Sequence, residues 1–236
     1  MPRKLDHNVL VIDVESTCWE EPEKPGKDEI SEIIEIGIAV VDINKLEIVK
    51  NDAIIIRPQR SRISNFCNKL TTITQDMVDQ GMVYQAAMTF LKRDYESSNR
   101  TFVSWGDYDR KMFQKNCDDY NVPYPFGPRH LNLKNCFTML HGLDREPGMD
   151  TALNYLGLKL DGVHHRGLDD SNNIAKILIH TLDKFRLKDE SSLKEELAIA
   201  KDELRWRHEL DVSSLEHSKE LEKQKNELLE KFKNKA

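Results

Sequence analysis

The amino-acid sequence predicts an α/β domain, in which a β-sheet is flanked by helices, followed by a helical extension. Short apolar segments typical of buried strands alternate with amphipathic segments typical of helices, and this alternation predicts a sheet covered by helices. The composition changes near the end, because residues 187–236 contain no Gly or Pro and are rich in Lys, Glu and Leu. We therefore divide the chain into a domain over residues 1–186 and a C-terminal extension over residues 187–236.

Apolar runs predict the strands of the sheet. The first strand is expected at residues 8–13, where four consecutive aliphatic residues indicate burial on both faces. Two longer runs, residues 33–43 and 46–58, predict neighbouring strands joined by a tight turn, and the second run ends at a proline. Residues 101–105 predict another buried strand and residues 129–133 a short one.

Amphipathic segments predict the helices. The clearest spans residues 169–186, where apolar side chains recur at intervals of three and four residues. Two short helical turns are expected within residues 64–81, and Thr74 is expected to cap the second through its hydroxyl group. Further helices are expected at residues 84–95, 107–120, 134–140 and 149–156.

The composition limits the functions that the chain can have. Of its 236 residues, 39% are hydrophobic and 32% are charged, and the formal net charge is −6. We expect a soluble, intracellular, cytoplasmic protein, because there is no apolar run of about 18 residues and no leader at Met1. The negative charge argues against a broadly basic nucleic-acid-binding surface but not against a local basic path or a metal-mediated phosphate site. The four cysteines form no CxxC pair, which argues against zinc and favours free thiols.

Two carboxylates stand at the end of the first apolar run, in the segment VLVIDVESTC. Asp13 and Glu15 are two residues apart, so they project from the same face of a strand, about 6–7 Å apart. Adjacent like charges raise each other's pKa, and a hard divalent cation removes that cost. An exposed, solvated Asp-x-Glu at a strand edge is the plain alternative, but the preceding apolar run favours a central strand.

Further acids recur at junctions between predicted strands and helices. Asp109 follows the strand at residues 101–105, and Asp107 is the obvious candidate for the N-cap of the next helix. Asp170 opens the helix at residues 169–186, and His165 precedes it by five residues. Taken singly, the acids are explained as helix caps and the histidine as a surface residue. A neutral imidazole beside a metal-binding carboxylate is also suited to accept a proton from water.

The order of these residues, D-x-E, then D, then H-x-x-x-x-D, resembles the DEDDh 3′-to-5′ exonucleases. The resemblance implies an RNase H-like fold, in which a mixed β-sheet is flanked by helices. Longer segments are similar to the branch containing the histone-mRNA and small-RNA-trimming exoribonucleases and their bacterial relatives. They are IDVESTC, SEIIEIGIAVVD, ISNFCNKLTTITQDMVDQG, WGDYDRKMFQKNC and HHRGLDDSNNIA. The resemblance covers residues 7–186 and implies that residues 1–186 form an exonuclease domain.

The resemblance also implies roles for individual residues. It makes His165 the general base. His164 is an alternative, but it is one residue out of register, because the acid five residues after it is Asp169 and not Asp170. The resemblance assigns the metal-binding acids, Asp13, Glu15, Asp109 and Asp170, which would hold two divalent cations, Mg²⁺ or Mn²⁺, and Glu15 belongs to the catalytic set as well. The substrate-binding residues would be Ser16 and Thr17, with Trp19 and Trp105 as stacking candidates; core packing is the alternative for Trp105.

The implied activity is removal of nucleoside 5′-monophosphates from the 3′ ends of single-stranded RNA. A DNA exonuclease is one alternative. A nucleic-acid-binding or scaffold protein that acts mainly through its C-terminal extension is another, although a complete set of acids argues against it. No membrane association is expected.

The C-terminal extension has a pattern of its own. Apolar or aromatic residues recur at alternating spacings of seven and four, which is an eleven-residue repeat typical of a nearly straight or slightly right-handed helix pair. Two S-x-x-E capping boxes, at residues 192–197 and 213–216, accompany it. One apolar stripe cannot bury itself, so we expect a coiled coil that forms a homodimer; a solvated lone helix and packing against the domain are the alternatives.

Overall fold

The computed structural model describes residues 7–21, 23, 25–185, 198–199, 222–228 and 230. The chain divides into two compact units, residues 1–184 and residues 185–236. The described residues of the second unit beyond residue 185 are helical. The two capping boxes and most of the eleven-residue repeat lie outside the described residues, so the coiled coil and the homodimer stay predictions.

The first unit is built on a six-stranded sheet. The strands are β1 (Asn8–Ser16), β2 (Ile33–Asp42), β3 (Glu47–Arg57), β4 (Met82–Val83), β5 (Phe102–Ser104) and β6 (His130–Asn132). Their order in the sheet is β4-β3-β2-β1-β5-β6. β1 pairs antiparallel with β2, and β2 with β3, while β1 pairs parallel with β5, and β5 with β6. The prediction of a mixed sheet is confirmed.

Seven helices accompany the sheet in the described part of this unit. The hydroxyl of Thr74 accepts the backbone N–H of Met77 at 3.3 Å, so the predicted cap is confirmed. Ser64 caps the preceding helix in the same way, accepting the N–H of Cys67 at 2.9 Å. The helices are α1 (Asn65–Thr71), α2 (Gln75–Asp79), α3 (Tyr84–Asp94), α4 (Tyr108–Tyr120), α5 (Leu133–Leu140), α6 (Met149–Tyr155) and α7 (Gly167–Phe185).

β1 contributes to two of the three hydrophobic clusters found among the described residues. Leu10 and Ile12 pack in one core with residues of α3 and α4, whereas Val9 and Val11 pack in the other with residues of α5, α6 and α7. This alternation follows from the two-residue period of a strand. Each fully buried aliphatic side chain contributes roughly 1.5–3 kcal/mol, so β1 is held rigidly from both faces.

Two differences from the sequence-based expectations concern the acids and their surroundings. β1 continues past Asp13 to Ser16, because its pairing with β2 extends beyond the acids to a register shift between Glu15 and Ser16. Asp107 occupies the N-cap position of α4, but its side chain makes no capping hydrogen bond. Its carboxylate lies instead 3.4 Å from Nη2 of Arg110. Among the described residues, no helix has the length and apolarity needed to cross a membrane.

Candidate active site

A cleft of about 280 Å³ opens at the carboxyl end of β1. The ends of the parallel strands β1 and β5 and the starts of α6 and α7 meet here, so four distant parts of the chain line the cleft. The residues lining it are Asp13, Val14, Glu15, Trp105, Tyr108, Asp109, Gly148, Met149, Asp150, His164, His165, Asp170 and Ile174.

Three carboxylates converge in the cleft. Asp13 and Glu15 extend from the same face of β1, and Asp170 extends from the first turn of α7. One carboxylate oxygen from each lies within 4.8 Å of the other two. Glu15 and Asp170 are buried, while Asp13 is partly exposed to the cleft.

Asp109 stands beside this group, although it is not one of the three that converge within 4.8 Å. It belongs to the first turn of α4, it is 4% exposed, and one of its carboxylate oxygens accepts the backbone N–H of Val14 at 3.0 Å. Val14 lies between Asp13 and Glu15 in β1, so this bond fixes α4 against the strand at the acids. Asp107, the other acid of the segment, does not line the cleft.

The electrostatic state of the acids indicates a site for cations. Burial, together with the neighbouring carboxylates, raises the pKa of Asp13 well above its usual value and that of Glu15 to about 8. Burial also raises the pKa of Asp109 to about 7 and that of Asp170 to about 6. In addition, Oδ1 of Asp170 is buried and has no hydrogen-bond partner in the described part of the chain. Ionising neighbouring buried carboxylates is unfavourable unless a cation balances their charge. Grouped carboxylate oxygens are also the ligands that a hard divalent cation prefers.

Two histidines border the acids. The rings of His164 and His165 stack with their centroids 4.1 Å apart, and a ring nitrogen of each lies within 4.8 Å of a carboxylate oxygen of Asp170. The backbone N–H of His165 donates to Oδ2 of Asp170 at 2.8 Å. Burial, and then the neighbouring His164, lower the pKa of His165. Asp169, the residue expected to accompany His164, accepts instead the backbone N–H of Val163 at 2.8 Å.

The predicted substrate-binding residues fall into two groups. Ser16 lies beside the cleft, with its hydroxyl 2.7 Å from the hydroxyl of Tyr108, and Trp105 lines the cleft while donating from Nε1 to the carbonyl of Pro147 at 3.1 Å. By contrast, Thr17 is fully buried, and its hydroxyl donates to one backbone carbonyl and accepts one backbone N–H. Trp19 does not line the cleft.

The sequence-based reasoning missed one ion pair next to the site. Arg166 forms two hydrogen bonds to the carboxylate of Glu35, at 3.1 Å and 3.0 Å, and Glu35 is fully buried. Glu35 lies directly across from Glu15 in the β1–β2 pairing. The sequence does contain a sign of this pair, because Glu35 is the one charged residue in the otherwise apolar run of residues 33–41.

Comparisons with known proteins agree with this geometry. The sequence profile described as exonuclease matches residues 10–178. Human 3′-5′ exoribonuclease 1 is 31% identical in an alignment of 186 residues, which covers 74% of this chain and 52% of the human protein. The probable 3′-5′ exonuclease KapD of Bacillus subtilis is 29% identical in an alignment of 172 residues, which covers 72% of this chain and 82% of KapD. The chain therefore spans about half the length of the human relative.

A solved structure has the same fold. The nuclease domain of 3′hExo, a DEDDh family member bound to rAMP, is 28% identical and superimposes with a TM-score of 0.69. The match covers 78% of this chain and 96% of that domain. A mixed sheet flanked by helices, with carboxylates clustered at the end of an inner strand, defines an RNase H-like nuclease domain. The chain belongs to the exonuclease family, and the structural match is to its DEDDh type.

Proposed function

We propose that this protein is a 3′-to-5′ exoribonuclease that depends on two divalent cations, Mg²⁺ or Mn²⁺, and releases nucleoside 5′-monophosphates from single-stranded RNA. The observation that carries the proposal is the convergence of Asp13, Glu15 and Asp170 beside Asp109 and two histidines. The relatives support the choice of substrate, because one is named an exoribonuclease and another is bound to rAMP.

The acids are the groups that would hold the cations. Asp13, Glu15 and Asp170 offer converging oxygens, and Asp109 offers the carboxylate oxygen that does not accept the N–H of Val14. Divalent cations bound there would neutralise the acids, polarise the phosphodiester and acidify water. β1 is buried on both faces, and a hydrogen bond joins α4 to it. The backbone therefore would not need to rearrange for the acids to bind the cations.

His165 is the proposed proton acceptor. Its lowered pKa keeps the imidazole neutral near pH 7, which a general base requires. Its backbone is bonded to the carboxylate of Asp170, so the ring stays next to the acids. The ring of His164 stacks on that of His165 and is the more exposed of the two, which favours His165 as the base.

The walls of the cleft suit a single nucleotide at the end of a strand. Tyr108 is 54% exposed, and Trp105, Met149 and Ile174 add apolar surface. A terminal base must leave its stack to contact such side chains. This costs the least free energy at a single-stranded end, where the base is not paired. The hydroxyl of Ser16, next to that of Tyr108, supplies a polar contact for the sugar or phosphate.

Cleavage of labelled oligonucleotides tests the proposal. Single-stranded RNA and DNA of one sequence, labelled at the 3′ or the 5′ end, should be incubated with Mg²⁺, with Mn²⁺ and with EDTA. We expect 3′-labelled RNA to release labelled mononucleotide at once and 5′-labelled RNA to shorten stepwise, both only with a divalent cation. The Asp13→Asn variant should be inactive. Equal or faster cleavage of DNA favours the DNA exonuclease alternative, and undiminished cleavage in EDTA refutes the metal-dependent mechanism.

A further inference from the structure

We propose that Glu35 and Arg166 are positioning residues, which hold His165 and Asp170 in the geometry that the reaction needs. Neither side chain lines the cleft. The inference rests on the proposed function, because it assigns the pair a role through a catalytic base and a cation-binding acid. We call the pair and its backbone contacts the Glu35 clamp.

The carboxylate of Glu35 accepts three hydrogen bonds from two consecutive residues. Nε and Nη2 of Arg166 donate to it at 3.1 Å and 3.0 Å, and the backbone N–H of Gly167 donates at 2.8 Å. Two parallel bonds from a guanidinium fix orientation as well as distance. Because Glu35 is fully buried in β2, the start of α7 is attached to a rigid part of the sheet.

The backbone in this region leaves little freedom. Gly37 and Gly167 are in contact, since a Cβ built on Gly37 would lie 1.8 Å from the carbonyl oxygen of Gly167. The backbone N–H of Asp170 donates to the carbonyl of Arg166 at 2.8 Å, and that of His165 donates to the Asp170 side chain. Hydrogen bonds thus connect residues 165–170 to one another, and the clamp attaches this segment to β2.

The clamp also accounts for an unfavourable backbone conformation. His165 has φ +64°, in the left-handed region, which is unfavourable for a residue with a side chain. Such a conformation persists only where neighbouring contacts enforce it. Arg166, the next residue, is the one whose side chain is fastened to Glu35, so the clamp directs the His165 ring towards the acids.

The charges of the pair match this role. Glu35 is a fifth carboxylate near Asp13, Glu15 and Asp170, and it acts on all three electrostatically. The guanidinium of Arg166 balances Glu35, so the clamp adds no net charge to the cation site. Loss of Arg166 alone leaves a buried unpaired carboxylate beside the acids, whereas loss of both charges does not.

A set of variants tests the inference: Arg166→Gln, Glu35→Gln, the double variant, Arg166→Lys, and Arg93→Gln as a control. Arg93 is an exposed arginine on α3 with its own carboxylate partner, so the control removes the same charge away from the cleft. The first measurement is hydrogen exchange of residues 163–170 in the metal-free protein, which requires no activity. The second is kcat and KM on single-stranded RNA.

For Arg166→Gln we expect faster exchange confined to residues 163–170 and a kcat lower by about 100-fold, with KM changed less than threefold, since a shift of about 1 Å has that effect. Arg166→Lys should recover part of the loss. The double variant should be more active than Arg166→Gln, and Arg93→Gln should behave as wild type.

Three results would overturn the clamp. The first is unchanged exchange in residues 163–170 of Arg166→Gln, and the second is faster exchange there with an unchanged kcat. The third is exchange that rises throughout the domain with additive losses in the double variant, which assigns the pair to general stability and not to positioning. A wild-type protein without nuclease activity refutes the proposed function instead, and the exchange data still show whether Glu35 orders this segment.

Discussion

A carboxylate oxygen of Asp109 accepts the backbone N–H of Val14 at 3.0 Å, across 95 residues of sequence. The bond joins the first turn of α4 to β1 between Asp13 and Glu15. It occupies one oxygen of Asp109 and sets the distance of α4 from the strand. The same carboxylate therefore shapes the cleft and supplies charge to it.

The two acids at the start of α4 should respond differently to substitution. We expect Asp109→Asn to lower kcat at least about 100-fold, since a carboxylate that binds a catalytic cation supplies several kcal/mol. Asp107→Asn should keep nearly full activity, because its side chain lies outside the cleft. Steady-state kinetics of both variants test this. An inactive Asp107→Asn together with an active Asp109→Asn would show that Asp107 is the catalytic acid of the two.

Asp107→Ala should also leave the stability of the domain nearly unchanged. The side chain makes no capping hydrogen bond, so the usual loss of about 0.5–2 kcal/mol for an N-cap should not appear. The ion pair with Arg110 is partly exposed, and such pairs contribute about 0–1 kcal/mol. Urea unfolding checks this, with Thr74→Ala as the control that removes a capping hydroxyl that is engaged. A larger loss for Asp107→Ala than for Thr74→Ala would contradict the expectation.

The acid cluster predicts how the stability of the metal-free protein changes with pH. The pKa of Glu15 is raised in the folded state from 4.5 to about 8. A raised pKa means that the folded state binds the proton more tightly, so this stabilisation is complete below pH 4.5 and is lost as the pH rises through about 8. Asp109 and Asp170 act in the same direction. We therefore expect Tm in EDTA to fall between pH 5 and pH 8.

Added Mg²⁺ should raise Tm more at pH 8 than at pH 5, because it binds the ionised acids of the folded state. Glu15→Gln should flatten the decline in EDTA and gain less from Mg²⁺. Thermal unfolding of both proteins, with and without the cation, provides the measurement. The same pH dependence in Glu15→Gln as in wild type would show that Glu15 is not the source.

Sequence patterns predicted the parts of the site that depend on local geometry. The two-residue period of a strand placed Asp13 and Glu15 on one face, and alternating apolar and amphipathic segments predicted a sheet flanked by helices. Both properties depend on a few neighbouring residues, which the sequence displays directly. The cluster with Asp170 and the mixed strand directions were instead implied by the family resemblance.

Long-range contacts were beyond such patterns. Nothing in the sequence shows that Arg166 meets Glu35, 131 residues away, or that the N–H of Val14 is the partner of Asp109. Asp107 was misjudged as a side-chain cap because Arg110, and not its local backbone, attracts its carboxylate. The β1–β2 pairing, which extends β1 to Ser16, is likewise set by a partner strand rather than by local propensity.

The two tryptophans should differ in their effect on substrate binding. Trp105 lines the cleft, and Trp105→Leu keeps an apolar side chain there while removing the flat ring. KM should therefore rise by about 5–100-fold, the usual contribution of stacking one base on an aromatic ring. Trp19→Leu should change KM less than threefold, because Trp19 does not line the cleft. KM values on short RNA test both. A rise confined to Trp19→Leu would place the terminal base elsewhere.

The last prediction separates the two adjacent histidines. His165→Ala should lose roughly 10²–10⁴-fold in kcat, the usual contribution of positioned proton transfer. The wild-type rate should climb with pH, because a base acts when neutral, and its acid limb should lie below 6.5, because the pKa of His165 is lowered. His164 contributes to that lowering, so His164→Ala should keep its plateau rate within about tenfold and move the acid limb to higher pH. A pH–rate profile of the three proteins, with cation affinity measured alongside, gives the answer. If His164→Ala loses the rate and His165→Ala keeps both rate and acid limb, the base is His164; if the acid limb is the same in all three, neither imidazole accepts the proton.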